Sequence, residues 1–324
     1  MDIAPTDTSV TNPELGKKAA PRPVRPKTKA GISTRASGWP FVLPAVLLLL
    51  ALNVFPLLFS VAMSFSNVST DNGLHLTKAT LSNWSQLLHD STFWDSLKFT
   101  VIVVVVAVTA EFLIGLTLAL LLWRKIPGGG FFRVLFSIPM MLAPVAIGFM
   151  FRMMLNEQYG PVDTILRGLH LPTVPWLSSV GAAPVSVVIM DVWQWTPLMF
   201  LLLMAGLQSI PEDAVEAAQI DGASGLRVIW DVVLPMLAPI SVMAVFLRMV
   251  IAFTIFGEIY LLTGGGPGTS TTSTTLLAYY QGFQTFNISS GSTISLALLI
   301  FVTVTSLLYL SVTRVLLRRV RVAA

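Results

Sequence analysis

Long, nearly uncharged apolar runs alternate with short polar breaks along most of the chain. Six runs approach or exceed the length that a helix needs to cross a bilayer, about 20 residues: Trp39–Phe65, Phe99–Trp123, Val134–Leu155, Val185–Leu207, Ala238–Leu262 and Thr293–Thr313. In lipid every backbone polar group has to be satisfied within the segment, so runs of this kind are read as helices. The pattern predicts an all-α integral membrane fold with six transmembrane helices. Residues 1–38 have no apolar period and are rich in Pro, Lys and Thr, which predicts a disordered basic tail along the membrane surface. A single transmembrane body is expected over residues 39–318, with a short tail at 319–324.

Composition sharpens this picture. Of 324 residues, 54% are hydrophobic and 11% charged, against roughly 25% charged in an average soluble domain. One polytopic membrane domain is expected, and the long tail ahead of the first run argues against a cleaved signal peptide. There is no Cys, which excludes disulfides and thiolate metal sites. His75, His89 and His170 fall outside the runs and are not clustered, so no metal site is expected. Lys and Arg crowd the N-terminal tail, the break at Arg124, Lys125 and Arg133, and the segment from Arg314 to Arg321. Positive segments stay in the cytoplasm, so both termini are expected there. Apposition to anionic lipid accounts for the formal charge of +4, and no nucleic-acid partner is implied.

The most charged break between late runs spans residues 209–238. Ser209, Pro211 and Glu212 read as a helix start with Ser209 at the N-cap. Ala214 to Ile220 is good helix material, Gly222 supplies a turn, and Leu226 to Val233 reads as a second short helix handed over at Pro235 and Pro239. Glu216-Ala217-Ala218, Gly222, Val232 and Leu234-Pro235 match, slot for slot, the spacing of the cytoplasmic EAA loop, and the chain resembles the permease subunits of ATP-binding-cassette (ABC) importers, of type I fold. The resemblance implies that Glu216, Ala217, Ala218, Asp221, Gly222, Ala223, Trp230, Leu234 and Pro235 form the contact with an ATPase, with Glu216 pairing a basic group there and Trp230 acting as an apolar knob.

Ionisable groups inside spans usually face the protein interior or a water-filled path. Glu111 lies in the second run, on a water path or at a helix contact. Asp191, Gln194, Trp195 and Leu198 share one helical face of the fourth, beside Pro197. Carboxylate, amide and indole on one face suit a polyhydroxylated solute. The alternative makes Asp191 a solvated cap near the outer end, with Trp193 and Trp195 as interfacial anchors. Arg248 and Glu258 fall in the fifth run. Arg248 needs a partner there, and Asp191, Glu111 and Glu258 are all candidates. A structural ion pair and direct solute contact both fit it. As the only deeply placed cation, Arg248 points toward a neutral solute. No nucleophile–base constellation suggests catalysis. An ion-gradient-driven carrier using Glu111, Asp191 and Arg248 is the alternative reading.

Other segments carry packing or loop signals. Asn83-Trp84 and Phe93-Trp94 lie in the break Ser66–Lys98 and read as packing. Pro139 and Pro144 predict a kinked third span. Leu262-Thr263-Gly264-Gly265-Gly266-Pro267 resembles the MalF-like half of carbohydrate importers. Tyr279-Tyr280-Gln281 follow in a stretch without charge, which suggests an interfacial helix. No P-loop sequence occurs, so ATP and its Mg are expected on separate subunits and no cofactor on this chain. The resemblance further implies a second, MalG-like permease, two ABC ATPase subunits, an extracytoplasmic binding protein, and the bacterial inner membrane as the site.

Overall fold

The computed structural model describes residues 39–69, 79–123 and 128–323, with side chains for 42–69, 79–123 and 128–317. The basic N-terminal tail, His75 and Lys78, Arg124 and Lys125, and the side chains of Arg318, Arg319 and Arg321 lie outside these. By its contacts the chain divides into Met1–Asn53 and Val54–Ala324, with the boundary inside the first helix. The packing contacts and both candidate sites lie in the second unit.

The described residues form helices joined by turns and loops, and there is no strand among them. The order is α1 (Trp39–Ser64), α2 (Ser82–His89), α3 (Ser91–Trp123), α4 (Gly129–Met141), α5 (Pro144–Met154), α6 (Pro161–Gly168), α7 (Ala182–Gln208), α8 (Glu212–Ile220), α9 (Gly225–Val228), a π-helical turn (Ile229–Val233), α10 (Leu234–Ala252), α11 (Gly257–Leu262), α12 (Thr274–Tyr279), a second π-helical turn (Tyr280–Gln284) and α13 (Ile288–Ala323). Among the described residues, five helices are long and apolar enough to cross a membrane, and a sixth span exists if the bent pair α4–α5 is counted as one.

That pair corrects the expectation of a merely kinked third span. Leu142 and Ala143 are extended, and the axis turns by 94°. Pro144 disfavours helical backbone at the residue before it, then serves as a good first residue of α5. The fifth run also breaks. Its helix starts earlier, at Gly225, and ends at Ala252; Phe253–Phe256 interrupt it, and α11 is separate. Glu258 therefore sits on a short helix beyond the span.

Helices α3 and α7 form the central pair, and small residues allow their close approach. A Cβ on Gly115 of α3 would lie 3.0 Å from the Phe200 amide nitrogen of α7. A Cβ on Gly206 of α7 would lie 2.6 Å from Leu237 and 2.9 Å from Ile240 of α10. Phe93, Trp94 and Lys98 belong to the first turns of α3 instead of a loop. The packing role of the preceding segment is visible at buried Asn83, which donates to the Ser64 and Ser66 carbonyls at 3.0 and 2.7 Å.

α11 is held against α5 at Gly148, where a Cβ would lie 2.5 Å from the Glu258 carbonyl oxygen. Gly148→Ala is expected to destabilise the chain by about 1–3 kcal/mol through this overpacking. Thermal unfolding in detergent checks this, with the open position Gly168→Ala as the control.

The Gly-rich string after α11 forms a loop closed by its own hydroxyls. Thr271 Oγ1 lies 2.7 Å from Thr263 Oγ1 and donates to the Gly266 carbonyl at 2.7 Å; Ser273 caps α12 through the Leu276 amide. Gly264 and Gly265 take φ of 61° and 86°, a region that glycine enters freely. Tyr279 to Gln281 do lie in a helical segment, formed by α12 and the π-helical turn after it.

Candidate functional site

Three spans converge on one buried ion cluster. Glu111 projects from the middle of α3, Asp191 from the third turn of α7, and Arg248 from α10. Arg248 Nε donates to Glu111 Oε2 at 2.8 Å and Nη2 to Oε1 at 2.9 Å, a two-pronged pair; Nη2 also donates to Asp191 Oδ2. The three residues are 0–1% exposed. The Trp195 ring lies 5.0 Å from the guanidinium carbon, within cation–π range. Of the partners considered for Arg248, the structure selects Glu111 and Asp191; Glu258 is not among its ion pairs. Asp191 as a solvated cap is overturned.

The cluster forms part of a wall. A cavity of about 370 Å³ is lined by Asp191, Trp195, Arg248, Phe256 and Glu258, with Thr254 and aliphatic side chains of α5 and α10 completing it. That volume is at the lower end of small-molecule sites, about 300–1,000 Å³. Carboxylates accept hydrogen bonds and aromatic faces stack, so the lining suits a solute with hydroxyls and an apolar face. Two members of the predicted helical face fall outside it. Gln194 is 1% exposed and its Oε1 has no donor among the described residues; Leu198 is half-buried, and neither lines the cavity. Trp193 points elsewhere, with its ring edge-on to Phe151 at 5.6 Å. Thr254 and Phe256 escaped the sequence reading because the break after Ala252 has no Gly or Pro to announce it.

The helix–turn–helix forms the second candidate surface. Ser209 does not cap α8: its hydroxyl donates to the Gly206 carbonyl at the end of α7, and extended Pro211 precedes α8. Glu212 and Asp213 occupy the first turn, where negative charge complements the helix dipole. At the other end Gly222 has φ of 84°, its amide bonds the Gln219 carbonyl, and the Ala223 amide bonds that of Ala218. This is a complete Schellman closure. Ala218 and Ala223 are partly buried and pack against the core of the chain itself. Glu216, Ala217 and Asp221 are exposed, as are Ile220 (85%), Leu226 (73%) and Trp230 (69%).

The second short helix does not stop at Leu234-Pro235. It runs through the π-helical turn into α10, with the Leu234 amide bonded five residues back to Ile229. That looser turn makes room for Pro235, whose ring would otherwise meet the carbonyl four residues before it. Glu212, Glu216 and Gln219 line a cavity of about 740 Å³ with Trp123 and Arg133. Arg133 was missed as a member of this region; its Nε has no acceptor among the described residues.

Comparisons with known proteins agree with this architecture. The family described as binding-protein-dependent transport system inner membrane component matches residues 111–322. The Sinorhizobium fredii protein named "Probable ABC transporter permease protein y4oQ" is 37% identical over 280 residues, 86% of this chain and 89% of its own length. The trehalose/maltose transport system permease protein MalF of Thermococcus litoralis is 40% identical over 235 residues, 72% of this chain and 79% of its own. The trehalose transport system permease protein SugA of Mycobacterium tuberculosis is 35% identical over 271 residues, 83% and 86%. A crystal structure of a bacterial ABC transporter involved in the import of the acidic polysaccharide alginate superposes with a TM-score of 0.76 at 18% identity, covering 85% of this chain and 94% of that one. That last likeness establishes the fold, and the matches together favour an ABC permease over an ion-driven carrier. With its EAA spacing, its broken third span and a family match from residue 111 to 322, the chain belongs to the binding-protein-dependent inner membrane components, the permease subunits of ABC importers.

Proposed function

We propose that the chain forms half of a translocation path for a sugar or related polyhydroxylated solute, with the cavity at Asp191, Trp195, Arg248 and Glu258 on that path. The observation that carries this reading is the cavity wall itself: acceptor carboxylates and two aromatic side chains gathered where three spans meet. The names of relatives that carry trehalose or maltose support the substrate class.

The same reading places the helix–turn–helix on the cytoplasmic face, with both termini, following the distribution of Lys and Arg. There Glu216, Ala217, Asp221, Gly222 and Trp230 engage an ATPase subunit that carries ATP and Mg. Ala218, Ala223, Leu234 and Pro235 seat the loop on its own spans. A second permease, two ATPases and an extracytoplasmic binding protein complete the assembly.

Affinity purification from native membrane in mild detergent, followed by mass spectrometry, tests the assembly. Recovery of a second permease and a chain with a P-loop is expected. A chain that purifies alone under gentle conditions contradicts the reading. Uptake of radiolabelled trehalose, maltose and sucrose by the reconstituted complex tests the substrate class, and dependence on ATP is the expected result.

A further inference from the structure

We infer that the ion cluster acts as a charge filter: Asp191, Glu111 and Glu258 cancel Arg248, so that the cavity passes neutral polyhydroxylated solutes and discriminates against anionic ones. The inference rests on the proposed sugar path and deepens it.

A lone guanidinium at the wall of a small intramembrane cavity would be an anchor for carboxylate or phosphate, because its fork of donors matches both. Here three of the five N–H donors of that fork are already taken by carboxylates. Glu111 takes Nε and one Nη2 bond from the side away from the cavity lining, and Asp191 takes Nη2 at the lining itself. Trp195 covers a face of the same group. Glu258 adds a further carboxyl group to the wall, outside the ion pairs. Three carboxyl groups thus accompany one guanidinium. A single ionised carboxylate balances the cation, and any further ionisation makes the site negative. Among the described residues, no other basic residue lines the cavity. Arg152 is exposed on α5 and donates instead to the Leu261 carbonyl.

For a neutral sugar, carboxylate oxygens in this wall accept from hydroxyl groups while Trp195 and Phe256 offer apolar faces. An anionic derivative finds the cation already paired with carboxylates and meets like charge in a setting where water screens it poorly. The two cases differ most at Asp191 and Glu258, which reach the lining. Glu111 contributes from behind, by holding the guanidinium.

The test uses the complete reconstituted importer in liposomes. From trehalose, maltose and sucrose, a neutral sugar giving ATP-dependent uptake is paired with its own 6-phosphate, and the ratio of initial rates is read. Wild type is expected to favour the neutral sugar by about tenfold or more. Asp191→Asn retains the Glu111 pair and an amide oxygen for Arg248, and Glu258→Gln leaves both ion pairs intact. Each is expected to lower the ratio severalfold, and the double variant to lower it further. A merely structural role would reduce both rates and leave the ratio unchanged. That outcome, or equal wild-type uptake of both sugars, overturns the filter and leaves the sugar path standing. Uptake of no neutral sugar overturns the sugar path and the filter together.

Discussion

Glu111→Leu is expected to destabilise the chain by about 3–5 kcal/mol, the range for breaking one side of a buried ion pair. The reason lies in what stays behind. Arg248 is 1% exposed, so its guanidinium would stay behind in a site shielded from water. Losing Glu111 removes two of its three carboxylate hydrogen bonds. Only the Asp191 bond and the Trp195 face then remain to it. The triple variant Glu111→Leu, Asp191→Leu, Arg248→Met should recover most of the loss, because replacing a whole buried ion cluster by apolar groups is often neutral or stabilising. Uptake should stay abolished in the triple variant if the cluster serves transport as well as packing. Thermal unfolding in detergent checks stability, and reconstituted transport checks function. An unchanged unfolding temperature for Glu111→Leu would show that the three side chains do not hold one another in the folded membrane protein.

This cluster also shows how far the sequence can be read. A mid-span Arg announces that it needs a partner, because an unpaired charge in lipid is too costly. Which partner it takes is a matter of tertiary packing across separations of 137 residues to Glu111 and 57 to Asp191, and no local pattern encodes that. The spans were legible because apolar length is a local property. The bend between α4 and α5 was half-legible: Pro139 and Pro144 signalled a kink, while the 94° turn at extended Leu142 and Ala143 accompanies the packing of α5 against α11 at Gly148. The end of α10 was not legible, since Phe253-Thr254-Ile255-Phe256 is as apolar as the span before it. Ser209 misled because the same residue type caps a helix start and closes a helix end. Here the Gly206 carbonyl claims its hydroxyl. Gly222 was read correctly as a turn because a Schellman closure needs left-handed backbone at one residue, and glycine adopts it without strain.

Gly222 therefore supports the second large prediction: Gly222→Val should reduce ATP-dependent uptake by about tenfold or more, while membrane insertion and the unfolding temperature of the spans change little. A β-branched residue at φ of 84° pays for left-handed backbone with about 1–3 kcal/mol of strain. Since 1.4 kcal/mol is a factor of ten, the closed turn becomes a minor conformation over most of that range. The space around Gly222 is open, with no atom within 4 Å of a built Cβ, so a clash does not contribute. Gly222→Asn, which tolerates left-handed backbone, should accordingly keep most of the uptake. The comparison separates backbone geometry from side-chain bulk at one position. Glu216→Lys tests the face that the turn presents: it puts a cation beside Arg133 in the cavity under α8 and reverses the charge offered to an ATPase. Loss of uptake with ATP hydrolysis persisting in the assembled complex is the expected signature of uncoupling. Wild-type uptake by both Gly222→Val and Glu216→Lys would mean that this loop does not carry the coupling, and that the force from ATP enters the spans elsewhere.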